Sequence, residues 1–115
     1  MAANLLTKQN LRKLYKCFMT LPPFNEYRMP APHKVSFQVV NDSEAFGWFI
    51  NDPPRIQLSK ALCTNWDFIS QTMLHEMIHL CLWYNHHNDF DQHDQKFKRM
   101  AQRICNIYKF KMEDF

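Results

Sequence analysis

A small α+β domain, with one helix, three short strands and then two helices, is the fold this sequence predicts, and three observations carry that prediction. The first is a 19-residue stretch, Trp66 to Tyr84, with no Gly or Pro and apolar residues on nearly every side. The second is a set of three short runs between Lys34 and Ser59 rich in β-branched and aromatic residues, separated by Asn, Asp and Pro. The third is a C-terminal stripe, Phe97, Met100, Ala101, Ile104 and Tyr108, at three- and four-residue spacing. At 115 residues the chain has the length of one domain, and its 15% aromatic content fills a core with few side chains.

Asn4 to Thr20 reads as an amphipathic helix with Leu11, Leu14, Tyr15 and Phe18 inward, stopped by Pro22-Pro23. A Pro-rich connector runs on through Pro32. Lys34 to Asn41 then alternates, with Val35, Phe37 and Val39 on one face, as a half-buried strand does. Phe46 to Asn51 and Arg55 to Ser59 read as two more strands around an Asn51-Asp52-Pro53-Pro54 turn. The expected sheet is small, three-stranded and antiparallel, packed beside the long helix. A polar loop, Asn85 to Gln92, leads into the last helix, which His93 opens; Asp91 is the expected N-cap, with Asp94 supporting a ligand or the positive helix end.

The long helix carries His75-Glu76-Met77-Ile78-His79. On a helix, residues four apart lie one turn above each other, so both imidazoles can face one metal ion. A carboxylate beside them that is not a ligand can take a proton from an activated water, the general-base role of this motif in metalloproteases. The competing reading is a hydrogen-bonded pair of core histidines. Burying three such groups without partners costs several kcal/mol, and a shared metal is the simplest way to satisfy them.

A catalytic zinc commonly keeps three protein ligands and one open position. Asn85 stands six positions beyond His79, and no Gly follows His79, so the metzincin arrangement is excluded. The only later Glu is Glu113, outside the helical pattern, which disfavours a glutamate ligand. His93 is the third ligand this leaves, because a helical hairpin returns it toward His79. Asp89, Asp91 and His87 stand behind it as substitutes.

The stretch HEMIHLCLWYNHHNDFDQHDQKF resembles the core of the SprT-like zinc metallopeptidases, Spartan-type proteases among them, in which HExxH is followed by a loop and then by His, Gly and a further Phe. His93 and Phe97 match that pattern, and Asp94 replaces the Gly. Ala45 to Phe49 and Arg55 to Ser59 look like the paired strands ahead of the family's zinc helix, so the likeness covers about 70 residues. It implies one zincin-like domain over the whole chain and hydrolysis of peptide bonds with Zn2+ held by His75, His79 and His93. Glu76 is the implied general base.

By the same resemblance, a protein substrate adds to the sheet edge near Phe46, Trp48 and Phe49, for which ordinary sheet core is the alternative role. No oxyanion donor is singled out; Tyr84, His86 and His87 lie nearest in sequence. Two other functions fit the same residues: a non-proteolytic zinc hydrolase with a closed pocket, and a partner- or DNA-binding module with a vestigial structural zinc.

The net charge of +3 is modest, yet Lys96, Lys98, Arg99, Arg103, Lys109 and Lys111 gather toward the C-terminus, and Lys8, Arg12 and Lys16 line the first helix. Such stripes are either solvated faces or phosphate contacts. The resemblance implies single-stranded or junction DNA as a partner, since proteases of this type act on DNA-attached proteins. Cys17, Cys63, Cys81 and Cys105 form no Cys-x-x-Cys pair, so no C-terminal zinc ribbon is expected. Lys8, Arg12, Lys13 and Lys16 interrupt the N-terminal region, and no run is apolar enough to span a membrane. A monomer in an intracellular, reducing setting without membrane contact is the resulting expectation.

Overall fold

A computed structural model describes residues 6–115. Helix α1 spans Lys8–Met19 and starts where the Thr7 hydroxyl accepts from the Asn10 N–H at 3.1 Å. The expected start at Asn4 and Leu5 lies outside the described residues. Leu11, Tyr15 and Phe18 turn inward as their spacing requires, with Leu14 half-buried at the border. The connector after α1 holds two short 3-10 turns, Phe24–Glu26 and Pro32–Lys34. Long-range polar contacts pin it: Tyr15 donates to Pro30 O at 2.6 Å, Tyr108 to Pro22 O at 2.9 Å, the Asn85 amide to Arg28 O at 2.8 Å, and Arg103 pairs with Glu26.

The strands are β1 (Ser36–Val40), β2 (Gly47–Ile50) and β3 (Arg55–Ser59). Their spatial order is β1-β3-β2, with β3 parallel to β1 and antiparallel to β2. The sheet is therefore mixed, which corrects the antiparallel expectation. The hairpin around Asn51 to Pro54 makes β2 and β3 antiparallel as its turn residues indicate, but β1 joins on the other side of β3. The physical reason lies in β3, where Ile56 and Leu58 are both fully buried. The most deeply buried strand takes the centre, and the less buried β1 and β2 become edges.

Helix α2 runs Trp66–Tyr84, with the limits the apolar run predicts, and Asn65 caps it by accepting from the Phe68 N–H at 2.9 Å. Its Ile69, Met73, Leu74, Met77, Ile78 and Leu80 are almost fully buried, since α2 packs against β2, β3, α1 and the last helix. Helix α3 runs Gln95–Tyr108 and buries Phe97, Met100, Ala101, Ile104 and Cys105. Its N-cap is Asp94, not Asp91, so the helix begins two residues after His93. It ends at Lys109 in the left-handed region (φ 65°), and a 3-10 turn at Met112–Asp114 follows. Among the described residues no helix is long and apolar enough to cross a membrane.

Candidate metal centre

Helical periodicity places His75 and His79 on one face of α2, and the turn before α3 brings His93 to the same point. One nitrogen from each of the three imidazoles falls within a set whose members are all within 4.8 Å of one another. The Nε2 atoms of His79 and His93 are 3.2 Å apart. Two ligands of a tetrahedral zinc with bonds of about 2.0–2.1 Å stand roughly 3.4 Å apart, so this spacing suits a shared ion. Phe97 forms the floor of the cluster, its ring centroid 4.8, 4.9 and 4.4 Å from those of His75, His79 and His93. That contact explains why a Phe belongs four positions after the third histidine.

Two main-chain oxygens orient the rings. His79 Nδ1 is 2.6 Å from Phe90 O, and His75 Nδ1 is 2.9 Å from Phe115 O. A carbonyl only accepts, so each Nδ1 carries the proton and each Nε2 keeps its lone pair for a cation. Burial, with His79 alongside, lowers the His75 pKa to about 4 against the opposing Phe115 bond. His79 is lowered too, first by burial and then by His93, against the Phe90 bond and the Asp91 charge. Neutral imidazoles are what a metal requires, so the donor set fits a divalent, nitrogen-preferring ion such as zinc.

Glu76 is 7% exposed, and burial alone raises its pKa to about 8. Gly47, the only glycine of the chain, lies against it. A Cβ at position 47 would stand 2.6 Å from Thr72 Cγ2, 2.9 Å from Gln57 O and 3.4 Å from Glu76 Cγ. Only glycine lets β2 approach α2 this closely, and a lone glycine inside a strand pattern was the signal for it.

Two cavities meet at Gly47, His75 and Glu76. One, of about 250 Å3, lies over the histidines and is also lined by Trp48, Phe49 and Asp91. The other, of about 240 Å3, is walled by Phe46, Phe68, Gln71, Thr72, Asp114 and Phe115. Phe46 and Phe68 expose 42% and 39% of their surface and pack ring to ring at 5.4 Å. Phe46, Trp48 and Phe49 thus all border the cleft, while Phe49 also packs on Trp83 and Phe90 as sheet core does. Phe68, Gln71, Thr72 and the oxygens of Phe90 and Phe115 escaped the sequence reading. Tyr84, His86 and His87 line neither cavity.

The six C-terminal basic residues are exposed, and none lines either cavity at the histidines. Arg103 makes a two-pronged ion pair with Glu26 (2.9 and 2.6 Å), and Lys96 lies 3.5 Å from Asp89. All four cysteines are free thiols.

The SprT-like family model matches residues 22–114. The chain belongs to the SprT-like family. No match to it was found among curated proteins or among solved structures. The match takes in the connector as well as the sheet, α2 and α3, so more of the chain belongs to the family pattern than the 70 residues that the motifs alone indicate.

Proposed function

We propose that this SprT-like chain is a zinc-dependent endopeptidase in which Glu76 is the general base and His75, His79 and His93 are the metal ligands. The observation that carries the reading is the pairing of a buried carboxylate with a three-imidazole cluster in a cleft that runs along a sheet edge. β2 hydrogen-bonds to β3 on one side only, so its other side can add a substrate chain as a further strand. Main-chain hydrogen bonds then supply affinity with little demand on sequence. The Phe46–Phe68 wall offers an apolar seat for one substrate side chain next to Glu76.

When bound, a zinc ion supplies Lewis-acid polarisation of the scissile carbonyl and of the attacking water. The rest of the chemistry belongs to the chain. Burial raises the Glu76 pKa to about 8 in the metal-free chain, and the charge of a bound ion would favour its carboxylate form, which can accept the proton of the attacking water and return it to the leaving amine. The carboxylate is buried beside Gly47, at the junction of the two cavities. The cleft's continuity along β2 favours a polypeptide over the small substrate of a closed-pocket hydrolase. The buried Glu76 disfavours a purely structural zinc, which needs no base.

The test compares zinc-loaded wild type with Glu76→Gln on a DNA-binding protein and on an unfolded protein, each with and without single-stranded DNA. Cleavage by wild type alone, with equal zinc in both proteins, is the expected result. Stimulation by DNA that is lost when Lys98, Arg99, Lys109 and Lys111 are replaced by Ala would assign these residues as phosphate contacts. No cleavage in any arm with zinc confirmed bound would sink the peptidase reading.

A further inference from the structure

The two oriented histidines draw their support from different places. His79 is held by Phe90 O, within the loop that joins α2 to α3, so its support is built into the hairpin. His75 is held from 40 positions away, by Phe115 O beyond the end of α3. The Phe115 ring also faces His75, with centroids 5.5 Å apart, while Phe97 lies 4.8 Å from it. The first imidazole of the motif is therefore packed by two phenyl rings and oriented by one hydrogen bond.

We infer that residues 112–115 are a working part of the metal site, with Phe115 as the positioning residue that sets the tautomer and orientation of His75. The inference rests on the three-histidine metal reading. The segment is a single 3-10 turn, closed by Asp114 N–H to Lys111 O at 3.0 Å and Phe115 N–H to Met112 O at 3.2 Å. Phe110 and Phe115 pack it against the core. If it is removed, the His75 ring is free to turn about its χ angles and to carry its proton on either nitrogen. A ligand that must be reoriented for each binding event binds more weakly, and loss of such an outer partner typically costs 10–100-fold in metal affinity. Asp114 and Phe115 also wall the cavity beside Glu76, so the same segment borders both metal and substrate space.

The experiment measures zinc affinity by competition with a chromophoric chelator for wild type, a chain ending at Lys111, and Phe115→Ala. In parallel, long-range 1H–15N NMR of each metal-free protein reads the His75 tautomer. The expected result is a 10–100-fold weaker affinity in the shortened chain, with a His75 signal that changes from Nδ1–H to a mixture, and a smaller loss in Phe115→Ala, which keeps the main-chain oxygen and the Nδ1–H form. Affinity of the shortened chain within about twofold of wild type overturns the inference, and so does a fall in its affinity with the Nδ1–H tautomer intact, which packing alone would explain. If the shortened chain does not fold, a chain ending at Asp114, which lacks both the Phe115 oxygen and its ring, carries both readouts. Failure of wild type to bind zinc would instead overturn the metal reading, while the tautomer measurement would still stand.

Discussion

Glu76 and His75 are neighbours whose proton affinities move in opposite directions for the same cause. Burial favours the neutral form of each, raising the carboxyl to about 8 and lowering the imidazole to about 4. In protein stripped of metal this has a readable consequence. Between pH 4.5 and 6.5 the folded chain keeps the Glu76 proton that the unfolded chain loses, and refuses the His75 proton that the unfolded chain takes up. The two contributions to the pH slope oppose each other there. Above pH 6.5 the imidazole is neutral in both states, and only the carboxyl continues to titrate differently. Stability should therefore fall as pH rises from 6.5 to 8, by about 2 kcal/mol at 1.36 kcal/mol per pKa unit. Urea melts of metal-free protein at these pH values measure it. In Glu76→Gln the fall should vanish; an equal fall in that variant would show that the slope arises elsewhere. Nothing in the order of residues reveals these shifts, because they come from how deeply α2 is packed.

The β2–α2 contact is where an element depends on a single missing methyl group. Gly47→Ala would drive a Cβ into Thr72 Cγ2 and the Gln57 carbonyl, and overpacking of this kind costs roughly 1–3 kcal/mol. The expected outcome is that loss in denaturant melts, with partial recovery in Gly47→Ala/Thr72→Ser, which removes the closest of the clashing atoms and keeps the hydroxyl. No recovery would place the strain on the β3 carbonyl instead.

Elements like α2 and β3 were legible because their limits are local: an uninterrupted apolar run and a short alternating one. The His75–Glu76–His79 face follows from helical spacing, and His93 from the hairpin and the family pattern. Sheet order was not legible, since periodicity tells which face of a strand is buried and not which strand lies beside it. Asp94 rather than Asp91 at the start of α3, and Phe115 against His75, are likewise settled by tertiary packing.

On the scale of the molecule, an ion held by His75, His79 and His93 would join α2 to the loop ahead of α3, and through the Phe115 oxygen would tie in the segment after α3. These are segments otherwise held by side-chain packing, with no strand ladder between them. A ligand that binds the folded state alone adds stability as RT ln(1 + [L]/Kd), about 4 kcal/mol at a thousandfold excess over Kd. For a chain of this length each kcal/mol moves the melting temperature by roughly 4 °C, so saturating zinc should raise it by roughly 15 °C. His93→Ala removes the ligand that comes from outside α2. It leaves His75 and His79 on one helix, where an ion no longer bridges two segments. Differential scanning calorimetry with and without zinc should thus show a large shift in wild type and only a small one in His93→Ala. An undiminished shift in the variant would move the third ligand to Asp89, Asp91 or His87, each of which lies in or beside the same loop.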